Sequence, residues 1–252
     1  MSAPPASSFT FEPLFLALAV AAGVAYWIGA RRDPPGWRAV PFTLGLVLIA
    51  SALNSPLETI SVHYLLLIHL LQNVMIADWA PPLLILGLTP LMRTKIARFG
   101  GKWLAWITQP KVALPVWLVG WYAIHLSAFY DVALRNPWLL NVEHALLIAI
   151  GLVFWWPVLA GEPNEVSVPV KIGYLAVAFV GSAFLGLALT FSSSPFYDYY
   201  KAAPRLWGLS AEKDQNFGGV LMNAEQSIVF LVAILYFVLR LIPEEERSST
   251  QA

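Results

Sequence analysis

Residues Val168 to Phe191 read VPVKIGYLAVAFVGSAFLGLALTF, and their only charged side chain, Lys171, lies near the start. As a helix rising about 1.5 Å per residue, this run is long enough to cross a hydrocarbon core of about 30 Å. Working outward, six further apolar runs occur at Phe11 to Ala30, Val40 to Leu53, Ile60 to Ala77, Val112 to Phe129, Trp138 to Leu159 and Phe217 to Leu241. The chain has 252 residues, is 58% hydrophobic and only 12% charged, and carries 11 Trp, a composition that a soluble domain cannot bury. These features predict an all-α, polytopic transmembrane helix bundle with seven crossings. No long linker or internal repeat divides it, so 1–252 reads as one domain whose first partner is the membrane.

Two stretches fit less simply. The second run is short, and Pro81 to Met92 either extends the third helix or lies re-entrant. Pro81 and Pro82 lack backbone donors and predict a kink or break over 78–92. Met1 to Pro13 lacks the basic region of a cleavable signal, which predicts a retained first helix. The absence of cysteine excludes disulfides, thiolate metal sites and CxxCH haem attachment.

Basic residues set the expected orientation. Arg31, Arg32, Arg38, Arg93, Lys95, Arg98, Lys102, Lys111, Lys171, Arg240 and Arg247 fall on one side, against Arg135, Lys201, Arg205 and Lys213 on the other. This asymmetry predicts an outside N-terminus and a cytoplasmic C-terminus. Net charge is zero and no basic domain suggests nucleic acid. No nucleophile elbow, phosphate loop or paired carboxylates indicate an enzyme, and no catalytic residue is assigned.

The four histidines then become informative. In that orientation His69, His125, His144 and Glu225 lie about 14, 8, 9 and 12 Å below the outer helix ends, with His63 about 5 Å below. Polar groups at one depth in a membrane suggest a site. His69, Gln72 and Asn73 share a helix face, whereas His63 is turned away. Three imidazoles suffice for copper or zinc, with His63, Asn73, Met222 and Glu225 as support. The plainer alternative is hydrogen bonding between helices. Around this group, Asp78 is expected to pair with the basic loop from Arg93 to Lys102. Glu143 is expected near water or Arg135, Asp131 and Asp214 as helix caps, and Trp121, Trp155, Trp156, Tyr197 and Tyr200 as interface anchors.

Several segments in order resemble the seven-helix CtaG family of caa3-type cytochrome c oxidase assembly factors. They are Ser55-Pro56-Leu57, His69-Leu70-Leu71-Gln72, Ala80-Pro81-Pro82-Leu83-Leu84, Trp121 to His125, Tyr130-Asp131 through Pro137-Trp138, Glu143-His144, Phe154-Trp155-Trp156-Pro157-Val158, and Asp214-Gln215 through Gly218-Gly219 to Met222. The resemblance implies a factor of bacterial-type inner membranes that supplies copper during maturation of a haem-copper oxidase and contacts its subunits. It implies metal ligands at His69, His125 and His144, with Gln72, Asp131, Asp214 and Gln215 as polar members of its motifs. This chain departs by carrying Asn73 where a second histidine is usual, and Asn223 and Glu225 after Met222. Two other readings stay open: a metal-free accessory subunit bound permanently to an oxidase or respiratory supercomplex, with Gly181, Ser182, Ala183 and Gly186 at the contact, and an electron-transfer protein holding haem between two histidines. Oligomeric state is not legible.

Overall fold

A computed structural model of the chain describes residues 3–249, with side chains through residue 241; Met1, Arg247 and residues 250–252 among the readings above lie outside the described backbone or side chains. The described residues are mostly helical, without strands. The helices are α1 (Pro13–Ala30), α2 (Ala39–Leu53, entered through a 3-10 turn at Gly36–Arg38), α3 (Pro56–His63), α4 (Leu66–Val74), α5 (Ala80–Gly87), α6 (Pro90–Ile107), α7 (Pro110–Ile124), α8 (Ser127–Ala133), α9 (Pro137–Leu159), α10 (Val168–Phe191), α11 (Asp198–Ala202) and α12 (Ala211–Ser249). Six stretches are long and apolar enough to cross a membrane: Pro13–Ala30, Gly36–Leu53, Leu66–Gly87, Pro137–Leu159, Val168–Phe191 and Ala211–Leu241. The pair α7 and α8, bent by 68°, makes a seventh when counted as one span. The chain is a multi-pass helical membrane protein.

The Leu66–Gly87 span lies at the centre. Of its most apolar window 67% is buried, followed by 56% for α9, against 17% for α1 and 22% for the Ala211–Leu241 span. It packs against α2, α9 and α12. Its boundaries differ from the sequence expectation. The expected helix from Ile60 breaks at Tyr64 and Leu65, leaving α3 as a separate short helix. Conversely, Pro81 and Pro82 do not interrupt the span. A π-helical turn, Met75–Trp79, precedes them, and the Ala80 N–H reaches back to the Met75 carbonyl. The wider turn accommodates two residues that offer no N–H to the carbonyls four positions earlier. At that turn the Gly151 backbone of α9 lies against the Ala77 carbonyl and the Pro81 ring.

The fourth span bends at His125 instead of running straight to Phe129. The basic segment after the third span is also helical rather than a loop. In α6, Phe99 and Trp103 are 97% and 74% exposed beside exposed Arg98 and Lys102. Apolar rings flanked by cations are the pattern of a helix lying in a membrane interface. Gly101, at φ 50°, interrupts it.

Small residues on α10 serve the chain itself. A Cβ on Gly219 of α12 would meet the Gly186 carbonyl, and Gly186 lies on the Asn223 side chain. Ser182 is buried and Gly181 packs on Leu118, so Gly181, Ser182 and Gly186 join α10 to α12 and α7.

Candidate functional site

Three helix breaks bring polar side chains together. The break before α4 exposes its first N–H groups, and Asp214 of α12 answers them. Its two carboxylate oxygens accept from Leu66 N and Leu67 N, each at 2.9 Å. Asp214 therefore caps another helix from within the protein, rather than its own end in water as the sequence suggested. This fixes α4 against α12 and sets the height of His69 one turn below.

His69 is fully buried. Its Nδ1 lies 2.8 Å from the Tyr200 hydroxyl, which in turn donates to the Ser61 carbonyl. A hydroxyl has one proton and a carbonyl only accepts, so the Tyr200 oxygen must accept from Nδ1–H. If the ring is neutral, its lone pair is on Nε2. That nitrogen faces Glu143 Oε1 at 3.5 Å, with both side chains fully buried. Asn73 Nδ2 also donates to Glu143 Oε1, at 3.4 Å.

His125 forms the corner between α7 and α8. Its Nδ1 donates to the Trp121 carbonyl at 2.7 Å, which leaves the Nε2 lone pair free and without a hydrogen-bond partner. Trp121 packs on the imidazole at 4.8 Å between ring centroids and stacks on Trp117 at 5.8 Å. Tyr130, from α8, stands between two of the histidines: its ring is 5.0 Å from His69 and 5.8 Å from His125. His144 is fully buried, 6.1 Å from His69 and edge-on to Phe15 of α1 at 5.9 Å, and neither ring nitrogen has a partner.

The segment before α12 closes the cluster. Tyr197 donates to the His125 carbonyl, and Tyr197 and Tyr200 are both buried. Burial pushes their phenols above the ordinary range, so both remain neutral donors. Asp131 accepts from Asp198 N and Tyr199 N, capping α11 rather than α9. Gln215 accepts from Phe196 N and donates to the Ser194 carbonyl. Beneath, Gln72 donates to Glu58 and to the Ala52 carbonyl. Burial pushes the Glu58 carboxyl up to about 8; Gln72 opposes this, while Glu12 and Glu143 add to it.

Thus His69, His125, His144 and Asn73 converge, and Gln72, Asp131, Asp214 and Gln215 shape their surroundings. His63 does not join them. It lines an open pocket of about 450 Å³ with Arg135, Tyr199 and Pro204. Met222 is buried in the apolar core. Glu225 accepts from Trp79 Nε1 beside Asp78, lower in the bundle. Asp78 accepts from Gln226 of α12, not from the basic segment, since it faces inward from the π-helical turn.

Sequence reasoning missed Glu143, Tyr130, Tyr197, Tyr200 and Glu58. Glu143 lies in a 23-residue helix with only one neighbouring ionisable residue, His144, which was the available signal of a buried carboxylate. Trp121, Trp155 and Trp156 are core residues rather than interface anchors, at 0%, 2% and 7% exposure. As the side chains stand, no group of three His, Cys, Asp or Glu among the described residues is placed to hold a metal ion. The nearest two imidazoles are those of His69 and His144. Two imidazoles on one ion, with bonds of about 2.0 Å, place their ring centroids roughly 5–6 Å apart, against 6.1 Å for His69 and His144.

A sequence model described as cytochrome c oxidase caa3 assembly factor matches residues 16–244, nearly the whole of this helical scaffold. The chain belongs to the caa3 cytochrome c oxidase assembly factor family. An uncharacterized protein of Mycobacterium leprae is 23% identical over 251 residues, covering 89% of this chain but only 38% of its own length. The chain thus spans well under half of that relative. No solved structure matches. Within the assembly-factor family, this chain is a divergent member whose histidine cluster includes Glu143 and the amide of Asn73.

Proposed function

We propose that the protein is an assembly factor for a haem-copper cytochrome c oxidase that carries copper as cargo at His69, His144 and His125, with Glu143 supplying negative charge, the side chains closing from their present positions onto the ion. It does this in the outer half of a bacterial cytoplasmic membrane, and the protein is not an enzyme. The observation that carries this reading is the 3.5 Å approach of His69 Nε2 to Glu143 Oε1. The hydroxyl relay through Tyr200 leaves Nε2 as a lone pair unless the ring is doubly protonated. A lone pair against a buried carboxylate calls for a cation between or beside them. The unpartnered nitrogens of His125 and His144 supply further neutral donors of the kind that binds copper. Asn73 does not replace the family's second histidine as a ligand. Its N–H₂ holds the carboxylate in place instead.

Copper titration of the purified protein tests this, with metal content measured after desalting. The expected result is about one ion per chain, lost in the triple variant His69→Ala, His125→Ala, His144→Ala and weakened at least tenfold in Glu143→Gln. Equal stoichiometry in the triple variant and the parent removes the proposal.

A second reading has its own support. A single extra proton on His69 would satisfy Glu143 without metal, leaving a structural ion pair in a metal-free subunit bound permanently to an oxidase. Copper-free protein recovered in stoichiometric complex with mature oxidase would favour it over the carrier.

The reading includes an outside N-terminus, supported by the division of basic residues between the two sides. In this cysteine-free chain, a cysteine placed at Lys201 should react with an impermeant maleimide from outside intact cells. Protection there, with reaction only after lysis, reverses the orientation.

A further inference from the structure

A second polar group lies away from the histidines, at the middle of the bundle. Asp78 is twelve residues into the Leu66–Gly87 span and nine from its end, or about 18 Å and 13 Å along the axis. Glu225 is similarly central in the Ala211–Leu241 span. The two are cross-bonded through their neighbours: Trp79, next to Asp78, donates to Glu225, and Gln226, next to Glu225, donates to Asp78. Asp78 is 1% exposed and Glu225 is 8% exposed. Each keeps one oxygen, Asp78 Oδ1 and Glu225 Oε2, buried and without a partner.

Among the described residues, no cation is paired with either carboxylate. The π-helical turn packs against α2, α4, α5 and α9. Helices α2 and α5 carry no titratable side chain, and α4 carries only His69, about 14 Å up the same span. On α9 the titratable groups are Glu143 and His144, with Glu143 about 12 Å along the helix from the Gly151 contact. On α12 the nearest are Asp214 and Tyr236, each about 16 Å from Glu225, and Arg240 lies about 22 Å away. On α10, Lys171 sits over Phe237 and Tyr174 donates to the Phe154 carbonyl. Neither of the two ion pairs among the described residues includes Asp78 or Glu225.

Two carboxylates sharing a dry site repel one another, and one bound proton removes both the repulsion and half of the buried charge. Gln226, the donor to Asp78, also lines a cleft of about 190 Å³ between α10 and α12 with Asn223 and Ser227.

We propose that Asp78 and Glu225 form an intramembrane proton-binding site, in which the two carboxyls hold one proton between them and exchange it through the cleft beside Gln226. The site is independent of the copper reading, because it shares no residue with the histidine cluster. It gives the protein a titratable centre at the depth where membrane proteins place proton relays.

Infrared spectroscopy of the protein in lipid vesicles at neutral pH tests it directly. The expected spectrum has a carboxylic-acid carbonyl band that shifts in heavy water and disappears in both Asp78→Asn and Glu225→Gln, since either change abolishes the sharing. Other buried carboxyls, such as Glu58, give bands that neither substitution removes. The unsubstituted protein supplies a second measurement. A hydrophobic carbodiimide, which attacks protonated carboxyls, should leave its N-acylurea adduct on Asp78 or Glu225 by peptide mapping, and alkaline pretreatment should abolish it. Carboxylate bands alone at neutral pH, or an acid band unchanged in both variants together with no adduct at either residue, overturns the proposal.

Discussion

Replacing Gly151 with alanine is expected to destabilise the protein by roughly 3 kcal/mol, and replacing it with leucine to abolish recovery of folded protein. A Cβ at this position would lie 2.3 Å from the Ala77 carbonyl oxygen and 2.8 Å from the Pro81 ring, and a carbonyl in the central span cannot swing aside as a side-chain tip can. The clash would drive α9 away from the π-helical turn. Because α9 carries Glu143 and His144, the cluster would open at the same time. Gly173 on α10 is the internal control: an added Cβ meets nothing within 4 Å there. Gly173→Ala is expected to be neutral or stabilising by up to about 1 kcal/mol through helix propensity. Thermal unfolding in one detergent measures both. Equal melting temperatures for Gly151→Ala and Gly173→Ala would show that the close approach at Gly151 does not constrain the fold.

Asp214→Ala is expected to cost about 2–4 kcal/mol. The substitution leaves the Leu66 and Leu67 N–H groups at the start of α4 without their carboxylate, and Leu66 N is buried. It also removes negative charge from a helix N-terminus, where the backbone dipole favours it. For a chain of this size that corresponds to a fall in melting temperature of roughly 5–15 °C. Asp214→Asn retains an acceptor oxygen and should lose about half as much. A neutral outcome for Asp214→Ala would mean that water reaches the α4 terminus and supplies the missing acceptors.

The scaffold was legible because membrane insertion writes itself into sequence as long apolar runs. Val168 to Phe191 matches α10 residue for residue, and five other runs match their spans closely in at least one boundary. The failures occur where backbone geometry is decided by distant partners. Nothing between Ile60 and Leu66 announces a break, since the carboxylate that stabilises it lies 148 residues away in Asp214. Likewise, proline chemistry predicts disturbance at 81–82, but whether a helix breaks or widens depends on the neighbour that receives the distorted carbonyls, here Gly151. The bend at His125 has the same character.

Depth offsets grouped His69, His125 and His144, which the fold does bring near one another, but they also admitted His63 and Glu225, and the offset of His69 was counted from Ile60 although its span begins at Leu66. Facing was less legible. Glu143 was read as solvated since it sits beside His144 rather than a turn away, yet both reach His69, which approaches them from another helix. Glu225 matched the depth of the histidines from one starting point for its helix. The helix begins six residues earlier than Phe217, and the residue belongs with Asp78 lower down. The tyrosines could not be found by composition, since aromatic residues near a bilayer surface are expected whether they face lipid or core.

The short α11 is tied to the rest of the bundle at several points. Its first N–H groups are gripped by Asp131, Tyr197 at its start and Tyr200 within it are tethered to the His125 and Ser61 carbonyls, and the preceding segment is clasped by Gln215. These attachments come from four separate parts of the chain, so lifting this plug breaks several of them together. On the carrier reading, release of an ion past this rim would require several of these bonds to break together.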